Sequence, residues 1–478
     1  MLTLINTNTM QPAIAPVGLD YIAGAVKQAG IDVEVVDLCL AENPAATLRD
    51  YFAGHKPELV GLSFRNVDDC FWPSCQWFVP KLSELVRSLK TVTAAPIVLG
   101  GVGFSIFAEQ IVKHTGADFG VRGDGEQAIV ALVNELQGKG RFEHIPGLVW
   151  RENGAIRSNL PAWEAADGRL SLPTSRDAID NATYFKRGGQ CGIETKRGCN
   201  RRCIYCADRL SKGTTNRTRI PAEVADEAES LLAQGIDVLH ICDSEFNVPG
   251  EHARAVCEEF IRRGLGDRLR WYVYMAVVPF DAALASAMHK AGCVGIDFTG
   301  DSACPAMLKT YRQLHTAQDL ALAVQLCRDN GITVMIDLLL GGPGETPQTA
   351  KQTIDFIKKI NPDCAGAPLG VRIYPGTEMV NVVAAEGKPE TNPNIHRKYT
   401  GPVDLFRPTF YISHQLGENP AKLIKDLIAG DKRFFEPIDE ADNALTDHNY
   451  NDNTELVNAI KAGARGAYWH ILHKLRSR

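Results

Sequence analysis

The chain has 478 residues, 45% of them apolar and 23% charged, with a formal net charge of −6. That length exceeds what one hydrophobic core organises, so two or three domains are expected. The balanced charge gives no sign of a nucleic-acid or membrane surface. No apolar run approaches the roughly 18 residues that span a bilayer, and the start Met1-Leu2-Thr3-Leu4 lacks a basic signal-peptide region. Thirteen cysteines, an odd number, point to reduced thiols and a cytoplasmic protein.

Residues 2–5 form a short apolar run expected to be a buried strand. Leu19, Ile22, Ala23 and Val26 recur at helical spacing, with Gly30 placed to cap the helix. Residues 31–38, 59–63 and 96–101 supply further strands with helical segments between them, the pattern of a doubly wound parallel sheet. Ligands of such sheets bind beyond the carboxyl ends of the strands. The residues there are Ser63, Arg65 and Asn66; Gly100, Gly101 and Gly103; and Arg122, Gly123, Gly125 and Glu126. Glycines at these ends let a ligand approach the backbone, although ordinary turn glycines read the same way. No G-x-G-x-x-G follows the first strand, which argues against a dinucleotide. Residues 141–185 are expected to be a connector, with a β-hairpin around Asn153-Gly154.

Cys199, Cys203 and Cys206 follow in a turn rich in Gly and Arg, spaced C-x3-C-x2-C. Thiolates at this spacing can converge on one metal centre, and three ligands leave one iron of a four-iron cluster open. A structural zinc site needs a fourth Cys or His, which residues 207–220 do not supply. Gly198 permits the tight turn, and Arg197, Arg201 and Arg202 are placed to offset a cluster's negative charge. The segment, with Tyr205 just before the third cysteine, resembles the cluster motif of the radical S-adenosylmethionine (SAM) superfamily. The resemblance implies a [4Fe-4S] cluster on Cys199, Cys203 and Cys206 and gives Tyr205 a cofactor-contacting or catalytic role.

Downstream, strands are expected at residues 238–242, 271–274, 294–298, 334–340 and 370–374, with helices between. With the strand leading into the cysteine turn they make a partial (β/α)6 barrel, whose active site lies at the carboxyl strand ends. In superfamily members the place of Asp243, Glu245 and Asn247 holds the SAM amino group. The place of Thr299 to Ser302, with Asp301 and Ser302, holds its ribose; Asp297 on the same strand is a further cofactor-binding candidate, and Gly342 and Gly344 resemble the glycine segment under the adenine. Arg312 is suited to a bidentate pair with the methionyl carboxylate. Singly, each of these also reads as an ordinary turn. From about residue 386 the barrel pattern stops, and a small, mainly helical C-terminal part follows, with aromatic residues 406–412 and the run from Asn449 to Asn453 placed either to pack or to close a substrate cavity.

The order of pieces in residues 1–140 resembles the cobalamin-binding domain that precedes the radical SAM barrel in one large subgroup. The cobalt-ligating D-x-H-x-x-G motif is absent, so the resemblance implies cobalamin held without a protein histidine. Arg65 resembles the arginine below the corrin in the tryptophan 2-C-methyltransferase branch, a catalytic position, although a salt bridge to Asp68 or Asp69 is the plain alternative. The expected divisions are 1–140 (cobalamin-binding), 141–185 (connector), 186–385 (radical SAM barrel) and 386–478 (a cap over the substrate). The implied activity is C-methylation of a small molecule or peptide, with a SAM-derived methyl relayed through methylcobalamin and an external flavodoxin- or ferredoxin-type electron donor. A cobalamin-dependent cyclisation or rearrangement without net methylation is the alternative on the same scaffold. An iron–sulfur electron-transfer protein is the alternative of another class.

Overall fold

The computed structural model describes residues 1–161, 163, 168–439 and 450–477; Asn449 lies outside them. Seven strands form the first sheet: β1 (Leu2–Asn6), β2 (Val33–Asp37), β3 (Leu59–Ser63), β4 (Ile97–Gly100), β5 (Phe119–Val121), β6 (Leu148–Glu152) and β7 (Ala155–Ser158). Their order is β2-β1-β3-β4-β5-β6-β7, parallel through β5. The near-continuous burial of β1 is what a strand covered on both faces requires. The helix Val17–Gln28 turns Leu19, Ala23 and Val26 onto the sheet, and Gly30 follows it at φ +74°.

The hairpin expected inside a connector belongs to this sheet. β6 pairs antiparallel with β5, and β7 with β6, extending the sheet by two strands. Trp150 and Val149 are buried against it, so packing rather than the turn signal decides where the hairpin goes.

After the short strand β8 (Cys191–Ile193) comes a two-stranded ribbon of β9 (Lys196–Arg197) and β10 (Arg217–Thr218), which frames the cysteine turn. The second large sheet runs on through β11 (Val238–Ile241), β12 (Arg270–Met275), β13 (Cys293–Asp301), β14 (Thr333–Leu338) and β15 (Cys364–Gly366). These pair in parallel in the order β8-β11-β12-β13-β14-β15, an open partial barrel with helices outside. The sixth barrel strand is thus β15, not residues 370–374. Val371–Arg372 (β16) instead joins Ile395–Arg397 (β17) and Thr409–Tyr411 (β18) in a small antiparallel sheet. The C-terminal part also returns a strand, β19 (Phe434–Phe435), to the outer edge of β15. It is bound into the barrel rather than appended to it.

The two large sheets are locked by a buried ion network. Arg176, with no exposed side-chain surface, donates to Asp20 of the helix Val17–Gln28 (2.5 Å) and to Glu227 of the helix Pro221–Ala233 (2.7 Å). Arg219 also donates to Glu227, and the Tyr21 hydroxyl donates to the same carboxylate at 2.8 Å. Removing one member of such a set leaves uncompensated buried charge, costing about 3–5 kcal/mol. Arg176→Ala should therefore lower the midpoint of denaturant unfolding markedly. Lys90→Ala, which breaks the surface pair with Asp118, should change stability by less than about 1 kcal/mol. Equal effects of the two changes would show that the network does not hold the sheets.

Candidate active site

The cysteine turn is shaped by its glycine. Gly198 sits at φ +91°, and a Cβ there would lie 1.8 Å from the Thr215 carbonyl oxygen. Cys199 is buried, and Cys203 and Cys206 are half-buried. Burial pushes the Cys203 thiol up to about 12 and the Cys206 thiol well above its ordinary value, and the three thiols lie close enough to raise one another further. Apolar burial of three adjacent thiols is unfavourable to thiolates unless a metal centre draws them. Among the described residues no three Cys, His, Asp or Glu side chains converge on a single ion. A cubane takes each thiolate at a different iron, so this donor set fits a cluster better than a lone zinc.

Of the charges expected to offset a cluster, Arg197 is spent elsewhere. It pairs with Glu126 (2.8 Å), Glu194 (2.8 Å) and Asp124 (3.3 Å), tying β9 to the loop after β5. The cation facing Cys199 is Lys196, 1% exposed, whose pKa burial holds low against the pull of Asp243, Cys199 and Glu245. Sequence reasoning passed over it because a lysine in a two-residue strand carries no signal.

The barrel's strand ends divide into structural and free groups. Asp243 accepts hydrogen bonds from the Thr195 and Lys196 backbone N–H groups (2.8 and 3.2 Å) and from the Thr195 hydroxyl (2.6 Å), so it pins the strand before the cysteine turn. Asn247 is fully enclosed and bonded to Ala276 and Pro279, and Ser302 shares a hydrogen bond with Thr353. These three, expected to contact SAM, are occupied within the protein. Glu245 is different: Oε1 accepts from the Thr299 hydroxyl at 2.9 Å, Oε2 has no partner, and burial raises its pKa to about 7. Its charge also bears on Cys199 and Cys203.

Tyr205 donates to Asp301 at 2.6 Å, and Gln313 Nε2 reaches Asp301, Tyr205 (3.3 Å) and the Cys203 sulfur (3.4 Å). Burial lifts Asp301 to about 7 against these two hydrogen bonds. Arg312, expected to face SAM, points away to Glu378 (3.1 Å) and is half-exposed. The physical reason is local: the helix Pro305–Tyr311 ends with Arg312 in the left-handed region at φ +61°, which turns Arg312 outward and Gln313 inward. Gly342 leaves room for Tyr311, whose hydroxyl oxygen would lie 2.1 Å from a Cβ there, whereas Gly344 (φ +80°) has open space.

At the first sheet, Ser63, Gly100, Gly101, Gly123, Gly125 and Glu126 line one cavity of ≈ 200 Å³ with an apolar floor that includes Leu4, Leu19 and Val98. That is room for a ligand much larger than a single water. Gly18 and Gly100 meet nothing closer than 4.0 Å, so a side chain at either would fill the cradle. Gly103 packs against the backbone of residues 65–67 instead, and Arg122 pairs with Glu109. Arg65 and Asn66 line a second cavity, of ≈ 230 Å³, together with Thr7, Met10, Asn451 and Asp452. Among the described residues no histidine lines either cavity. The anion expected to neutralise Arg65 is taken: Asp68 is buried against Arg372 at 2.9 Å, and Asp69 accepts from Ser74. Arg65 is exposed, and its charge is felt at His240, Cys242, Tyr274 and Tyr468 across the gap. A glycine cradle without histidine at the switch point of a doubly wound sheet fits cobalamin bound without a protein ligand to cobalt.

Residues 193–357 match the family model of the radical SAM superfamily, and residues 4–133 match that of the B12-binding domain. The chain is 29% identical to the tryptophan 2-C-methyltransferase of Streptomyces laurentii, over 98% of this chain and 94% of that protein. Its fold matches the radical SAM methyltransferase TsrM of Kitasatospora setae, solved with tryptophan and a SAM analogue bound. The TM-score is 0.91 at 31% identity, covering 100% of this chain and 99% of that one. The TsrM structure holding cobalamin and a [4Fe-4S] cluster matches at TM-score 0.89 and 29% identity, over 100% of this chain and 97% of that one. With both domains matched and the likeness running end to end, the chain belongs to the cobalamin-dependent radical SAM methyltransferases.

Proposed function

We propose that this enzyme methylates a ring carbon of an aromatic amino acid, tryptophan in the first place. The observation that carries the reading is the whole-length likeness to TsrM, which was solved with tryptophan bound. Arg65 adds to it as a guanidinium free of any ion pair among the described residues, beside the gap between the sheets. The cofactors, when bound, supply the methyl carrier and the anchor for SAM.

The chain's own residues then have these roles. Cys199, Cys203 and Cys206 hold the cluster, with Lys196 offsetting its charge. The glycine cradle at the ends of β3, β4 and β5 takes the cobalamin tail. Arg65 would offer bound cobalamin a positive charge rather than a lone pair, since a protonated guanidinium has no acceptor atom. Asp301 is held by Tyr205 and Gln313, which makes Tyr205 a positioning residue for it. We assign residues 1–140 to cobalamin, 186–385 to SAM and the cluster, and 386–478 to closure over the substrate. The thirteen cysteines are unbridged, and among the described residues no helix is long and apolar enough to cross a membrane. The reading itself carries a reducing, cytoplasmic setting and a flavodoxin- or ferredoxin-type electron donor.

Changing Cys199, Cys203 and Cys206 together to Ala should abolish the broad thiolate-to-iron absorbance of anaerobically reconstituted protein; a variant that keeps its iron overturns the ligand assignment. In the wild-type enzyme, methyl-deuterated SAM and L-tryptophan should give a product three deuteriums heavier. S-adenosylhomocysteine without 5′-deoxyadenosine marks a polar methyl transfer, and equal amounts of both mark a radical one. Deoxyadenosine with no label in any product would favour a cyclisation or rearrangement instead.

A further inference from the structure

Inside the partial barrel, below the strand ends that face the cluster, lies a second set of polar groups. Side chains alternate along β13, so Asp297 shares the lumen face with Thr299, whose hydroxyl crosses the lumen to Glu245. Asp337 on β14 stands opposite Thr299 in the sheet, and Tyr274 on β12 stands opposite Asp297. Tyr450, from the C-terminal part, closes the group from outside the sheet, with its charge environment set by Asp337, Tyr274 and Asp297. Gly366 on β15 is what makes room: a Cβ there would lie 2.3 Å from Asp337 Oδ1.

Apart from the Thr299–Glu245 pair, these groups lack partners among the described residues. Asp297 is 2% exposed, and its Oδ1 has no hydrogen-bond partner. No hydrogen bond reaches Asp337, Tyr274 or Tyr450 through the side chain among the described residues. Tyr274 is 36% exposed and Asp337 half-buried, so both face open space on the lumen side of the sheet rather than packed protein. Burial, with Asp337 adding to it, drives the Asp297 pKa well above that of an ordinary carboxylate, and burial lifts Asp337 to about 6. Two unpartnered acids side by side on the lumen face are unfavourable, and apolar residues on the same strands would remove the cost. Arg65, at the opposite wall beside His240 and Tyr274, has no ion pair with either acid among the described residues.

We propose that Asp297 and Asp337, with the hydroxyls of Tyr274 and Tyr450, form the subsite for the protonated primary amine of the substrate, an α-amino acid. An ammonium group brings three N–H donors and one positive charge to two acids and two hydroxyls that lack partners. This deepens the reading of the enzyme as an amino-acid methyltransferase and rests on it. The same amine chemistry is carried by the methionyl end of SAM. The substrate is favoured because the free carboxylate beside the cysteine turn is Glu245, whereas Asp297 and Asp337 lie further down the strands near Tyr450, the residue that precedes Asn451 and Asp452 of the second cavity's wall.

The test is equilibrium binding to cofactor-reconstituted enzyme, using matched pairs of compounds that differ only in the amine. The pairs are L-tryptophan with indole-3-propionate and L-tyrosine with 3-(4-hydroxyphenyl)propionate; SAM is measured separately. Wild-type enzyme should bind the amine-bearing member of one pair about 10- to 100-fold more tightly, the range set by hydrogen bonds to a charged group. Asp337→Asn should erase that preference, raising KM more than it lowers kcat, while leaving the affinity for SAM and for the amine-free compound unchanged. The wild-type ratio stands on its own if the variant does not fold. Equal binding of amine-bearing and amine-free compounds by the wild type overturns the subsite, as does a variant that keeps the preference. A variant that loses SAM affinity instead assigns the acids to SAM and overturns the substrate assignment. A preference, abolished in the variant, for tyrosine rather than tryptophan supports the subsite and overturns only the choice of tryptophan.

Discussion

Everything about the site depends on two sheets being held with their carboxyl ends facing each other, and the clamp is Arg176 between Asp20 and Glu227. Each sheet alone offers half a site: a glycine cradle on one, a cysteine turn and a polar lumen on the other. Buried ion pairs are weak sources of net stability, but they are intolerant of misplacement, because a shifted partner leaves a bare charge in the interior. Arg176 contributes that intolerance at the junction of both sheets, with Arg219 and Tyr21 converging on the same Glu227 carboxylate. Two further pairs repeat the device. Arg197 joins the ribbon beside the cysteine turn to Asp124 and Glu126 beyond β5, and Arg372 joins the small antiparallel sheet to Asp68 beyond β3. All three clamps grip loops at strand ends of the first sheet or its first helix, the places where a displacement would open the gap between the cavities.

The sequence was readable where local chemistry decides the structure. The C-x3-C-x2-C spacing with Gly198, the glycines closing β4 and β5, and the helix capped near Gly30 all carry their reasons within a few residues. The parallel alternation of strand and helix, with a partial barrel after the cysteine turn, was readable for the same cause. What failed were inferences that need tertiary partners. The hairpin around Asn153-Gly154 was correctly a hairpin, but nothing local says that it extends the first sheet. Residues 370–374 look like a barrel strand, yet Cys364–Gly366 takes that place and Val371–Arg372 pairs antiparallel elsewhere.

The side-chain assignments divide along the same line. Asp243 and Asn247 sit where polar residues of a strand end were expected to meet a ligand, and in the structure they bond chiefly to backbone, because a buried loop has its own N–H and C=O groups to satisfy. Arg312 and Gln313 are neighbours in sequence, and one left-handed residue reverses which of them faces the cysteines. The buried ion clamps left no trace at all: Asp20, Arg176, Arg219 and Glu227 are spread over 208 residues and look like surface charges. A charge pattern reports a surface well and an interior badly, since the interior requires a partner that the pattern does not name.

The glycine cradle and the barrel lumen differ in character, and under the proposed amine subsite the difference puts discrimination between substrates in the lumen. The cradle on the first sheet is made of glycine and aliphatic side chains, and its tolerance for shape is set by backbone, which a single substitution changes only by filling it. The barrel lumen is made of groups that want partners: Glu245 at the end near the thiols, then Asp297, Asp337, Tyr274 and Tyr450. An unpaired polar group rejects a ligand that cannot satisfy it far more strongly than an apolar wall rejects a ligand that lacks a methyl group. A cofactor common to many enzymes suits the first kind of surface, and a particular substrate suits the second. Tyr450 comes from the C-terminal part and Asp297 and Asp337 from the barrel, so the selective wall is assembled by the same docking of strand β19 onto β15 that makes the C-terminal part inseparable from the barrel.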